Sequence, residues 1–377
     1  MKKKAIKVVL TGGGTAGHVY PVLDFWQEFK SRFPDREIKV LYIGSKGGPE
    51  KRIVKNQKIE FRAIYAGKWR RYFDWQNFGD IFKVFAGFWQ SLYYLLRFRP
   101  GLVLAKGGYV TVPVGWAAWI LRIPIILHES DATMGLSNRI LFPFAKIVAV
   151  AFPPTSYYPI KFREKMIWAG LPIRKDLLNF IQDQARIGLG LGRTLPILLV
   201  MGGSQGAQFI NQLIYQEKTR LLENMEIIHL VGKANILEAK KEKASLPPIL
   251  RVRYHVFGFL DKKMGDVLGL ADLVVARCGA NTIFELAATE KPAILIPYYY
   301  SASAHQEKNA DLLRRKKAAI ILYQDRIESQ TLAKNILALM ADQNKREILS
   351  HRIAKFYKSN AAEIVAEQME NVVKGLK

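Results

Sequence analysis

Residues 11–21, TGGGTAGHVYP, and residues 201–208, MGGSQGAQ, decide the fold of this chain. Each follows a short apolar run, VVL at 8–10 and ILLV at 197–200, and each leads into a segment that reads as helix. A strand, a glycine turn and a helix in that order expose backbone N–H groups to an anionic ligand. Two such units, starting at 11 and at 201, predict two nucleotide-fold domains facing one cleft.

Working outward from the first turn, strands and helices alternate. KVVL at 7–10, VLYIG at 40–44, LVLA at 102–105, IPIILHE at 123–129 and IVAVAF at 147–152 read as strands. Segments 20–31, 49–57 and 112–121 read as helices between them. Around the second turn, ENMEIIHLVG at 223–232 and VRYHVFGFL at 252–260 continue the pattern, and ADLVVARCGANTIFELAATEKPAILIPY at 271–298 reads as strand, turn, helix, strand. Segment 304–317 and most of 324–377 carry apolar residues at helical spacing. Strands separated by crossovers favour a parallel sheet with helices on both faces, hence an α/β fold. AGLPIRKDLL at 169–178 interrupts regular structure with Gly and Pro. We therefore expect an N-terminal Rossmann-like domain over 1–170, a second over 171–350, and a helix over 351–377 that crosses back to the first.

With 377 residues, half of them apolar, the chain can bury more than one core. Lys and Arg number 57 against 32 Asp and Glu, a net charge of +25. The first 99 residues hold 20 basic and 8 acidic side chains. Such an excess suits nucleic acid or an anionic lipid surface. No RNP motif, zinc-finger spacing or arginine-rich tail is present, so nucleic acid is not expected as a partner. The single cysteine, Cys278, excludes an intrachain disulfide and suits a reducing compartment. MKKKAIKVVL has too short an apolar run for a secretion signal. VTVPVGWAAWILRIPIIL at 110–127 contains Arg122 and two prolines, and reads as a buried helix and strand rather than a membrane span.

The first glycine turn lacks both the GxGxxG pattern with a ribose-binding acid and the Lys-Ser/Thr ending of a P-loop. It carries His18 instead. An imidazole near neutral pKa can take a proton from a sugar hydroxyl, or it can simply order the turn through hydrogen bonds. Residue chemistry alone leaves both readings open. No metal-ligand cluster or DxD pair appears, and no cofactor is called for.

GGGTAGHVYP, KGGYVTVP, ILHESDATMGLSNR, AGLPIR, MGGSQGAQFIN and RCGANTIFELAATEKPAILIPY occur in one order along residues 6–315. Together they resemble the bacterial lipid II-forming N-acetylglucosaminyltransferases of peptidoglycan synthesis, enzymes of glycosyltransferase family 28. The resemblance implies a GT-B fold and inverting transfer of N-acetylglucosamine from UDP-N-acetylglucosamine to the muramoyl 4-hydroxyl of an undecaprenyl-linked acceptor. Two other readings stand beside it: a GT-B transferase acting on another lipid such as diacylglycerol, and a catalytically silent UDP-sugar-binding protein.

By the same resemblance, His18 occupies the position of the catalytic base, with Glu129 orienting it or meeting the acceptor. Thr15, Ala16 and Gly17 line the donor side. Asp131 stands where many relatives have asparagine, and Leu171 where they have Asn or Thr. Arg174 matches a donor-binding arginine. Ser204 and Gln205 meet the UDP phosphates, aided by a helix starting after Gly203. Phe257 lies where backbone recognises uracil, and Ala280, Asn281, Thr282 and Glu285 surround the nucleoside, with Glu285 accepting both ribose hydroxyls. His305 and Gln306 meet the transferred sugar, Gln306 through both amide groups. Gly107, Gly108, Tyr109, Asn211 and Asn309 serve the acceptor side or support the loops.

A lipid acceptor requires membrane contact. KWRRYFDWQNF at 68–78 and IFKVFAGFWQSLYYLLRFRP at 81–100 interleave aromatic and basic residues. Trp69, Phe78, Phe82, Phe85 and Trp89 are candidate anchors in an anionic interface, with core packing as the alternative role. The resemblance places the protein peripherally on the cytoplasmic face of the bacterial membrane, among other cell-wall synthesis proteins.

Overall fold

A computed structural model describes residues 5–67, 76–154, 157–158, 160–192, 194–203, 206–260, 263–299, 301 and 304–375; of Ala16, 76–79 and 160–161 only the backbone is described. The chain divides into two compact units, Met1–Pro172 with Lys358–Lys377, and Ile173–Tyr357.

The first unit is built on strands β1 (Ile6–Thr11), β2 (Ile38–Ser45), β3 (Glu60–Ile64), β4 (Leu102–Ala105), β5 (Ile125–Glu129), β6 (Ile147–Val150) and β7 (Met166–Trp168). They form one sheet in the order β3-β2-β1-β4-β5-β6-β7. Every pairing is parallel. The second unit holds β8 (Ile197–Met201), β9 (Glu226–Leu230), β10 (Tyr254–Phe257), β11 (Leu273–Ala276), β12 (Ala293–Leu295) and β13 (Ile320–Ile321), again all parallel. Its order is β10-β9-β8-β11-β12-β13. Both sheets have the Rossmann strand order, which reverses direction between β1 and β4 and between β8 and β11. Ligands in such folds bind beyond the carboxyl ends of the strands at that reversal. The two glycine turns follow β1 and β8, so each lies at the reversal of its own sheet.

Burial on both faces explains why the central strands read as unbroken apolar runs. Val8 and Leu10 of β1 face one side, where they meet Val19, Phe25 and Phe29 of the helix Ala16–Ser31 and Val365 and Met369 of the helix Ala361–Lys374. Val9 faces the other side and joins Leu95, Val114 and Leu127. The core of the second unit gathers Leu198, Val200, Ile214, Ile227, Val275 and Ile336 in the same way.

Edge strands β3, β7 and β13 have no counterpart in the sequence reading. EFRAI alternates exposed and half-buried positions, and MIW and II are three and two residues long. An edge strand lacks the continuous burial that marks a central one. The first helix begins at Ala16, inside the glycine motif, rather than near 20.

Candidate functional site

In the first unit, three loops leave the carboxyl ends of β1, β4 and β5. In the β1 loop, His18 Nδ1 donates to Gly13 O at 2.8 Å. In a neutral imidazole this bond makes Nε2 the nitrogen with the lone pair. The ring is thus oriented by a backbone carbonyl within its own turn. The turn itself rests on buried polar groups: Tyr42 OH donates to Gly12 O at 2.7 Å, and Glu50 accepts from Ser45 N at 2.7 Å. Burial pushes the Tyr42 phenol far above its ordinary range, with the Glu50 charge adding to the effect.

The β4 loop, KGG, lies against the β1 loop. Gly108 has φ +85°, and a Cβ there would meet Gly13 O at 2.4 Å. Glycine is the residue that allows both the dihedral and the close approach. Lys106 N donates to Thr11 O at 3.0 Å, and its side chain is 1% exposed. Lys106 Nζ donates to Ser130 Oγ in the β5 loop. Tyr109 OH donates to Ser45 Oγ at 3.1 Å, tying its side chain beneath the first turn.

The β5 loop carries Glu129 and Asp131. Buried Glu129 accepts from Asp131 N (3.1 Å), Gly135 N (2.8 Å) and Asn138 Nδ2 (2.9 Å). Its carboxyl therefore clamps the 130–135 loop. Burial raises the Glu129 pKa, and the neighbouring Asp131 charge raises it further. Tyr158 OH donates to Asp131 O at 2.9 Å. His128 lies beneath this loop with Nε2 donating to Gly170 O at 3.0 Å. Burial, seconded by the Lys106 charge, holds it well below its ordinary pKa and hence neutral.

In the second unit, the glycine turn after β8 leads to a helix that begins at Gln208, with Ala207 as its N-cap, rather than just after Gly203. Gly206 has φ +80°, and a Cβ there would meet Val231 O at 2.2 Å. Ser204 and Gln205 lie outside the described residues, as does Trp69, while Phe78 is described by its backbone alone. Asn211 is fully enclosed. Its Nδ2 donates to Val231 O at 3.1 Å and its Oδ1 accepts from His229 Nε2 at 3.0 Å. Both bonds tie it to β9 and the residue that follows it. Burial pushes His229 down to about 3, so the network around Asn211 is uncharged.

Glu285 lies on the helix Ala280–Ala288 that follows β11. Burial pushes its carboxyl up to about 7, and the opposing pull comes from Arg174. The expected donor-binding arginine and the expected ribose-binding carboxylate thus act on each other electrostatically. Arg174 also pairs with Asp176 at 3.1 Å. On the same helix Ala280 is buried, Thr282 half-buried and Asn281 exposed. Asn309 is buried and donates from Nδ2 to Cys278 O at 3.0 Å, so it supports the turn before that helix. Gln306 accepts from Tyr298 N at 2.9 Å through Oε1. Its amide oxygen thus holds the backbone at Tyr298 through one of its two lone pairs. Phe257 O accepts from Val231 N at 3.0 Å, and half-buried His305 opens the helix His305–Arg315.

On the helix Gln76–Phe98, Phe82, Phe85, Trp89, Tyr93 and Leu96 form one exposed stripe, with Phe82 75% exposed. The adjacent helix Thr111–Ile120 ends in exposed Trp119 and Ile120. Among the described residues no helix is long and apolar enough to cross a membrane. Nor, among those residues, do three or more His, Cys, Asp or Glu side chains gather to hold a metal.

Sequence reasoning missed Lys106, Tyr42 and Glu50. The lysine next to GGY was a visible signal, but its burial was not. Glu50 and Tyr42 carry no local signal at all.

The Glycosyltransferase family 28 N-terminal domain matches residues 8–150 and the Glycosyltransferase family 28 C-terminal domain matches residues 197–368. A UDP-N-acetylglucosamine--N-acetylmuramyl-(pentapeptide) pyrophosphoryl-undecaprenol N-acetylglucosamine transferase of Treponema denticola is 39% identical over 328 residues, covering 84% of this chain and 83% of the relative. The enzyme of that name from Clostridium botulinum is 36% identical over 369 residues, 98% of this chain and 99% of the relative. The crystal structure of MurG from Acinetobacter baumannii superposes with a TM-score of 0.76 at 24% identity, over 97% of this chain and 99% of that one.

Proposed function

Since this chain belongs to the UDP-N-acetylglucosamine--N-acetylmuramyl-(pentapeptide) pyrophosphoryl-undecaprenol N-acetylglucosamine transferases of glycosyltransferase family 28, we propose how its own residues carry out the transfer. The reaction moves N-acetylglucosamine from UDP-N-acetylglucosamine to the muramoyl 4-hydroxyl of lipid I, with inversion, and yields lipid II and UDP.

In our reading, His18 Nε2 takes the proton of the acceptor hydroxyl while that oxygen attacks the anomeric carbon. The bond from that carbon to the diphosphate breaks, and UDP leaves with the electron pair. The observation that carries this assignment is the His18 Nδ1 bond to Gly13 O, which leaves the basic lone pair on Nε2. Charge on the departing diphosphate is met by Arg174 and by Ser204 and Gln205 of the second glycine motif. Glu285 accepts from the ribose hydroxyls. Asp131 meets the donor sugar as a hydrogen-bond acceptor.

The lipid acceptor and the association with membrane follow from the family. We assign the contact to the exposed stripe of the helix Gln76–Phe98, with the chain's positive charge facing anionic headgroups on the cytoplasmic side.

The test is incubation with UDP-N-acetylglucosamine and undecaprenyl-diphospho-muramoylpentapeptide, followed by mass spectrometry of the lipid. A gain of one N-acetylhexosamine, lowered about 10²–10⁴-fold in His18→Ala with UDP binding retained, supports the reading. An active His18→Ala enzyme removes His18 as the base.

A further inference from the structure

Lys106 has no role in the reaction as derived above. Its ammonium is buried at the end of β4, next to the strand-order reversal. Its backbone is bonded to Thr11, and its Cβ lies 3.7 Å from the point where a Cβ on Gly12 would be. Its side chain donates to Ser130, the residue between Glu129 and Asp131. Glu129 and Asp131 flank that serine in sequence, and the charges of both act on the lysine. Glu129 already spends its oxygens on three donors within the loop. Asp131 is half-buried.

An acidic loop is a poor neighbour for a donor that carries a diphosphate. Uncompensated, the pair repels both itself and the ligand. A buried lysine beneath the loop offsets that charge, and this gives a physical reason for placing an ammonium in a dry site. We propose that Lys106 is a positioning residue that neutralises the Glu129–Asp131 pair, so that the 130–135 loop presents Asp131 to the donor sugar without repelling the diphosphate. The proposal rests on the reading that Asp131 meets the donor. Burial pushes Lys106 down to about 8, while Glu129 and then Asp131 pull it upward, so it is mostly charged at neutral pH.

The test is a double-mutant cycle of Lys106→Met and Asp131→Asn on the full chain. It reads kcat and donor KM at saturating lipid acceptor, with melting temperatures alongside. Lys106→Met should lower kcat/KM for UDP-N-acetylglucosamine about tenfold or more, mainly through KM. Adding Asp131→Asn to it should restore about threefold or more, because the charge that needed the lysine is gone. Lys106→Arg, which keeps the charge, should lose less than Lys106→Met. Losses that simply multiply, or a Lys106→Met enzyme with wild-type donor KM, overturn the proposal. If Lys106→Met does not fold, a folded and active double variant supports it, and a double variant that also fails to fold overturns it. Asp131→Ala, which removes the acceptor oxygens, with unchanged donor KM removes Asp131 from the donor and the proposal with it. Multiplying losses together with a raised Asp131→Ala donor KM overturn the lysine's role alone.

Discussion

The chemistry assigned to single residues depends on proton placement. His18 stood out in the sequence because a histidine inside a glycine turn after a strand is close to any bound ligand. What the sequence left open was whether it orders the turn or takes a proton. The 2.8 Å bond to Gly13 O lets one nitrogen order the turn and gives the other the basic lone pair. Glu285 offers a sharper test. Its carboxyl is pushed up to about 7 in the free protein, so it is largely protonated below that pH and ionised above it. A protonated carboxyl accepts fewer hydrogen bonds from ribose. UDP affinity should therefore rise as pH increases from 6 to 8, and UDP binding near pH 7 should release a fraction of a proton. Calorimetry in buffers of different ionisation enthalpy measures that release. Glu285→Gln should bind more weakly and release less proton, the remainder coming from the terminal phosphate of UDP, whose second ionisation lies at about pH 6. Identical proton release in the variant would assign it elsewhere.

At the scale of elements, the two glycine turns owe their shape to what lies against them. Gly108 approaches the backbone of Gly13, so Gly108→Ala meets both an unfavourable φ and a collision. We expect a loss of about 1–3 kcal/mol in stability, seen as a melting shift of several degrees, with reduced transfer activity. An unchanged melting temperature would show that the loops separate at little cost. On the helix Gln76–Phe98 the opposite logic holds. Phe85, Trp89 and Tyr93 are exposed, so Phe85→Ser, Trp89→Ser and Tyr93→Ser together should leave the melting temperature within a few degrees. Co-sedimentation with vesicles containing anionic lipid should fall about tenfold or more. Full retention would place the membrane contact on another surface. The candidate anchors Phe82, Phe85 and Trp89 were readable as aromatics interleaved with basic residues. That they are exposed was not, because an apolar stripe fits a core as well as an interface.

At the scale of the molecule, the chain leaves its first unit after Pro172 and returns to it at Lys358. The returning helix Ala361–Lys374 buries Val365, Ala366, Met369 and Val372 in the first unit's core. Met369→Ala should cost about 2–5 kcal/mol. Thermal unfolding followed by limited proteolysis should show the loss in residues of the first unit before those of the second. Simultaneous cleavage of both would mean that the units unfold as one. The sequence by itself determined the α/β class, the two glycine turns, the central strands and the order of the family motifs. Each of these depends on residues close together in the chain, through apolar runs and glycine spacing. Tertiary structure decided the edge strands, the burial of Lys106 and Glu50, the clamp formed by Glu129, and the partner that orients His18. The edge strands and the buried groups depend on segments brought together from distant parts of the chain; the Glu129 clamp and the His18 bond lie within single loops, where the folded backbone sets the direction of each side chain.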